Sequence, residues 1–152
     1  MKMLVVDDEF NNRLLMGRLL EPYGAVDMVI DGREALDAFL LAHAENVPYD
    51  LIFMDIMMPN MDGHQAVQAI RKREAELGIV SRHEVKVIMV TALDSPKEAM
   101  KSYYHDGCTD YVTKPITKQK IDHIVLGASE TGGGDPLASG LAGQSMASDT
   151  EV

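Results

Sequence analysis

The chain has 152 residues, about the size of one domain, of which 46% are hydrophobic and 25% charged. A domain of that length buries roughly 70% of its unfolded surface and folds without disulfides or structural metals. Fourteen Lys and Arg against 24 Asp and Glu leave a net charge of −10, which disfavours nucleic acid and anionic membranes as direct partners. The single cysteine, Cys108, excludes an internal disulfide and fits a reducing compartment. The opening MKMLVVDDE has no signal-peptide pattern, and no apolar run approaches the ~20 residues of a membrane span. The expectation is a soluble, cytoplasmic domain without membrane insertion.

Apolar, strand-like runs alternate with helix-period stretches along the chain. A strand over 3–6 leads to a helix over 10–21, with Phe10, Leu14, Gly17 and Leu20 on one face and Pro22 and Gly24 beyond its end. A second strand over 25–30 precedes Asp31 and Glu34, whose spacing resembles a capping box for a helix running toward His43. A third strand, over 51–54, is short and continuously apolar. Gly63 marks a turn before a helix over 64–77, and a fourth strand covers 85–90. Ser95 and Pro96 open a helix through about residue 105. A fifth strand over 109–113 and a short helix over 118–126, with Ile121, Ile124 and Val125 on one face, complete the pattern.

Residues 129–152 read SETGGGDPLASGLAGQSMASDTEV, with four acids and no Lys or Arg. They carry −4 of the net charge, and the rest of the chain carries −6. So little apolar surface does not offset the entropy of ordering, so the chain divides into a domain over 1–127 and a flexible tail over 128–152. A native terminus, a linker to another domain and a cloning remnant all fit that tail.

Five βα repeats with continuous apolar strands predict a doubly wound α/β fold, a five-stranded parallel sheet with helices on both faces. Ligands of such sheets bind beyond the carboxyl ends of the strands. Asp7 and Asp8 follow the first strand, Asp55 the third, Thr91 the fourth and Lys114 the fifth. Singly each is an ordinary loop or cap residue; together they are a site. Two carboxylates about 4 Å apart repel by roughly 4 kcal/mol at an effective dielectric of 20, which a proton or cation must offset. Hard oxygen ligands without Cys or His spacing point to Mg²⁺. A carboxylate nucleophile beside a metal, an ammonium and a hydroxyl suits phosphoryl transfer, and no Walker loop is present to hold a nucleotide donor.

Four segments, VVDDE at 5–9, DIMMPNMDG at 55–63, VTA at 90–92 and GCTDYVTKP at 107–115, resemble the response-regulator receiver domain of two-component signalling. The resemblance covers about residues 1–127 and implies a flavodoxin-like sheet of strand order 2-1-3-4-5. It implies that Asp55 is the phosphoacceptor. It also implies that Asp8, Asp55 and the Met57 carbonyl hold Mg²⁺, with Asp7 acting through a water. Thr91 and Lys114 would contact the phosphoryl group, Tyr111 would switch rotamer with Thr91, and Lys114-Pro115 would be a cis peptide. The donor would be a sensor histidine kinase or a histidine phosphotransfer protein. The output would pass to an unknown downstream protein through the helix over 95–105, the fifth strand and the last helix, or by onward phosphoryl relay. A homodimer stays open, although the last helix is short for the family.

Other features have plainer readings. Cys108 stands where the family has a small residue and reads as a buried hydrophobe. The run Arg71-Lys72-Arg73, followed by Glu74 and Glu76, reads as a solvated helix face. The rival functions are a Mg²⁺-dependent phosphohydrolase with an aspartyl-phosphate intermediate and a docking module that has lost its chemistry. The first lacks a dedicated general acid; the second has no need of mutually repelling carboxylates.

Overall fold

The structure is a computed structural model that describes residues 1–92 and 107–131, with side chains through residue 128. The expected helix over 95–105 and the tail beyond 131 lie outside the described residues. Five strands, β1 (Lys2–Val6), β2 (Ala25–Val29), β3 (Leu51–Asp55), β4 (Lys86–Thr91) and β5 (Asp110–Thr113), form one parallel sheet in the order β2-β1-β3-β4-β5. Among the described residues, four α-helices accompany them: α1 (Phe10–Leu20), α2 (Gly32–Ala44), α3 (Gly63–Glu76) and α4 (Lys118–Thr131). Among the described residues, no helix is long and apolar enough to cross a membrane.

Side chains of a strand alternate between faces, and the sheet builds one core on each side. Leu4, Val6, Ile52, Met54, Val87 and Met89 pack against Phe39 of α2 and Val67 and Ile70 of α3. Met3, Val5, Phe53, Ile88 and Val90 pack against Met16 and Leu20 of α1 and Ile121 and Val125 of α4. Every residue of β3 is buried, as a strand covered on both faces requires, whereas the edge strand β2 is mostly exposed. Cys108 is a buried member of the α2–α3 core, as its small size suggested.

Three local expectations need correction. In α1 the buried residues are Met16, Gly17 and Leu20, while Phe10 and Leu14 are 65% and 40% exposed. The first turn instead half-buries Arg13, whose guanidinium donates to the Asp7 carbonyl at 2.8 Å. The inward stripe there is occupied by a polar residue, so the apolar ones face outward.

The basic run on α3 is not wholly solvated either. Glu74 is fully buried, paired with Arg71 at 2.7 Å, and it accepts from the Val85 N–H at 2.7 Å. Arg71 also donates to the carbonyls of Gly107 and Val85, tying α3 to the starts of β4 and β5. Finally, α4 runs on to Thr131, five residues past its expected end, so the last helix is 14 residues long and not short.

Candidate functional site

The sheet register assembles the site. Val6 pairs with Met54 across β1 and β3, so Asp7, one residue on, arrives beside Asp55. Asp55 pairs with Val90, and Thr91 pairs with Thr113, so the next residues of β4 and β5 bring Thr91 and Lys114 to the same end. Backbone hydrogen bonds join these ends: Ile56 N–H donates to the Val90 carbonyl at 3.3 Å, and Lys114 N–H donates to the Thr91 carbonyl at 2.8 Å. The Asp7 carboxylate accepts from the Glu9 N–H at 2.9 Å, which turns the chain into α1.

The loop after β3 is held as tightly. Gly63 N–H donates to the Ile56 carbonyl, and a Cβ on Gly63 would stand 2.4 Å from the Asp55 carbonyl oxygen. Only a residue without Cβ permits that approach. Asp62 caps α3 by accepting from Gln65 N–H at 2.9 Å, and the Gln65 side chain accepts from Asp62 N–H in return. Asn60, with φ of 66°, donates to Asp31, which also caps α2 by accepting from Glu34 N–H. Glu34 in turn accepts from the Ile30 N–H.

Carboxylate oxygens of Asp7, Asp8 and Asp55 all lie within 4.8 Å of one another, Asp7 and Asp55 buried and Asp8 exposed. The Lys114 ammonium sits 3.6 Å from the Asp55 carboxylate. Burial, then the neighbouring Asp7 charge, pushes the Asp55 carboxyl up to about 6, against the pull of Lys114 and of a hydrogen bond from the Met57 backbone. The cluster is therefore short of positive charge. Its donors are hard oxygens alone, a set that suits Mg²⁺ rather than a soft metal.

The expected residues thus converge: Asp7, Asp8, Asp55 and Lys114 share the crevice, and Thr91 is buried at the end of β4. The Lys114-Pro115 bond is cis, as the resemblance implied. Met57 is 78% exposed beside the acids. Tyr111 is half-buried on β5 and packs against the α2–α3 core. Three supporting residues had escaped notice: Arg13, which holds the Asp7 carbonyl, Asn60, which ties the loop after β3 to Asp31, and Gly63 in its close-approach role. The NMDG turn carried a signal for the last two.

Comparison with known proteins agrees with this geometry. Residues 3–126 match the response regulator receiver domain family. The sensor histidine kinase GacS of Pseudomonas protegens is 37% identical over 128 residues, which is 82% of this chain but 13% of the kinase. Among solved structures, the complex of the Saccharomyces cerevisiae histidine phosphotransfer protein Ypd1 with the receiver domain of Ssk1 aligns with a TM-score of 0.75 at 25% identity, covering 88% of this chain and 91% of the other. The chemotaxis protein CheY4 of Vibrio cholerae aligns with a TM-score of 0.66 at 28% identity, covering 82% and 95%. The curated relatives are far longer than the chain, which spans about an eighth of the kinase. The sheet order, the acid cluster and the matched residues converge on one conclusion: this chain belongs to the response-regulator receiver-domain family.

Proposed function

We propose that the chain is a phosphorylation-controlled switch that accepts a phosphoryl group on Asp55 from a histidine kinase or a histidine phosphotransfer protein. One observation carries this reading: a buried Asp55 carboxylate with Asp7 and Asp8 within 4.8 Å and the Lys114 ammonium at 3.6 Å. The Asp55 oxygen attacks phosphorus, the N–P bond of the donor phosphohistidine breaks, and the leaving imidazole takes up a proton. Lys114 balances charge on the phosphoryl oxygens, and Thr91 supplies a hydroxyl donor to them. Asp8, Asp55 and the Met57 carbonyl would hold Mg²⁺, with Asp7 reaching it through a water. When bound, that ion neutralises the negative charge gathering on the transferred group.

The exposed apolar side chains of Phe10 and Leu14 stand on the helix that begins just after the acids, and they offer the donor a place to dock. Ypd1 and the Ssk1 receiver, partners in the yeast complex, supply the analogy. The output is a change in affinity for a downstream protein or onward relay of the phosphoryl group. A phosphohydrolase is the weaker reading: among the described residues the acids clustered with Asp55 are Asp7 and Asp8, both assigned to the metal on this reading, which leaves neither dedicated to protonating a leaving alcohol.

Intact-mass measurement after incubation with acetyl phosphate and Mg²⁺ tests the proposal. One phosphoryl group should appear on the wild type and none on Asp55→Asn. Labelling that survives in Asp55→Asn, or repeated turnover of a phosphomonoester, would replace this reading.

A further inference from the structure

Lys114 holds its ammonium 3.6 Å from the Asp55 carboxylate at the end of a side chain that is 37% exposed. A lysine ammonium rides on a flexible four-carbon stem, so its aim depends on where the backbone beneath it stands. From β4, that backbone is fixed by the pairing of Thr113 with Thr91 and by the Lys114 N–H, which donates to the Thr91 carbonyl at 2.8 Å. β5 is the edge of the sheet, and no further strand continues it among the described residues. A second hold comes instead from α4. The Lys120 ammonium donates to the carbonyls of Thr113 and Pro115, both at 2.9 Å, and to the Thr113 hydroxyl at 3.4 Å. Those two carbonyls belong to the residues on either side of Lys114.

The preferences of α4 do not explain this lysine. The first turn of a helix carries partial positive charge, which disfavours a cation there. Lys120 stands in that turn, with its N–H donating to the Thr117 hydroxyl just ahead of the helix at 3.3 Å. Lys118, the other cation of the turn, pairs with Asp122 on its own helix. Lys120 is half-buried and reaches back to the turn after β5. An ammonium has three N–H donors, and the three acceptors printed by this geometry all lie in residues 113–115.

We propose that Lys120 is a positioning residue for phosphoryl acceptance: by gripping Thr113 and Pro115 it keeps the Lys114 ammonium aimed at Asp55. The effect on labelling rests on the phosphoacceptor reading above; the hold on Lys114 does not.

Lys120→Met keeps the apolar stem and removes the donors. With acetyl phosphate and Mg²⁺, the full chain carrying this change should be labelled at Asp55 about tenfold or more slower than wild type, since a displacement of ~1 Å can cost more than that. The ¹H–¹³C signals of the Lys114 ε-methylene, identified by their loss in Lys114→Ala, should shift in the same variant. Lys120→Arg, which restores donors at that position, should bring both rate and signals back toward wild type. A merely structural lysine would lower the urea midpoint and leave the folded protein's labelling rate and Lys114 signals where they were. Lys120→Gln takes the place of Lys120→Met if that variant fails to fold. Wild-type labelling speed in the folded variant, unmoved Lys114 signals, or a folded Lys120→Arg no better than Lys120→Met overturns the proposal. If wild type is not labelled at all, the phosphoacceptor reading fails, while the Lys114 signals still decide whether Lys120 holds that side chain.

Discussion

On the proposed phosphoacceptor reading, chemistry and stability pull in opposite directions at Asp55. Holding it buried beside Asp7 raises its carboxyl to about 6, because the folded protein binds that proton more tightly than the unfolded chain. An unfolded aspartate titrates near ~3.9, so the stability linked to this group is complete below about pH 4 and is lost as pH rises through about 6. The difference between those two values corresponds to roughly 3 kcal/mol. In chelator at pH 7.5, Asp55→Asn, which carries no charge to lose, should therefore unfold at higher urea than wild type, by the equivalent of roughly 3 kcal/mol. The difference should shrink toward zero by about pH 4, and Mg²⁺ should narrow it at pH 7.5 by stabilising wild type selectively. A variant less stable than wild type in chelator at pH 7.5 would show that the acids are not in conflict.

At the scale of elements, the loop joining β3 to α3 shows how the backbone protects this arrangement. The Gly63 approach to the Asp55 carbonyl is a contact with backbone, which has less room to yield than a side-chain tip. Gly63→Ala should push α3 away from β3 at its first turn, lowering stability by roughly 1–3 kcal/mol and slowing Asp55 labelling. Urea unfolding and intact-mass kinetics check the two effects together, and full stability with normal labelling would mean the loop is softer than its geometry implies. Much of this scale was legible in the sequence. Strands buried on both faces are largely apolar, so 51–54 and 85–90 declared themselves, and Asp55 and Thr91 fell at their ends, as Asp7 and Asp8 did after β1 and Lys114 after β5. The face of α1 was not legible, because apolar periodicity does not reveal that Arg13 turns inward to serve the Asp7 carbonyl. Nor was the Arg71–Glu74 clasp. An i, i+3 charge pair looks the same in sequence whether it is solvated or sealed beneath two strand ends.

For the molecule as a whole, the proposed switch requires that charge placed on Asp55 reach a distant surface. Asp55 lies in a strand whose neighbours on both sides are fixed by hydrogen bonds, so it has little room to move. A phosphoryl group there adds strong acceptor oxygens, and the Thr91 hydroxyl, which donates to the Ala92 carbonyl at 3.4 Å, can turn to donate to them. Thr91 also stands at the head of the segment that crosses from β4 to β5, and its own pairing to Thr113 links it to the strand bearing Tyr111. Two packings of Thr91 and Tyr111 would convert a local charge into a rearranged surface over 91–126, with phosphate favouring one of them. Amide exchange with and without beryllofluoride should then show altered protection across 91–126 as well as around 55–63. Thr91→Ala should still be labelled at Asp55 yet lose the distant change, whereas Lys114→Ala should lose labelling as well, because it removes the cation that faces the transferred group. Protection changes confined to 55–63 in wild type would separate phosphorylation from any switch in the β4–β5 region. A distant change that persists in Thr91→Ala would move the coupling to another path.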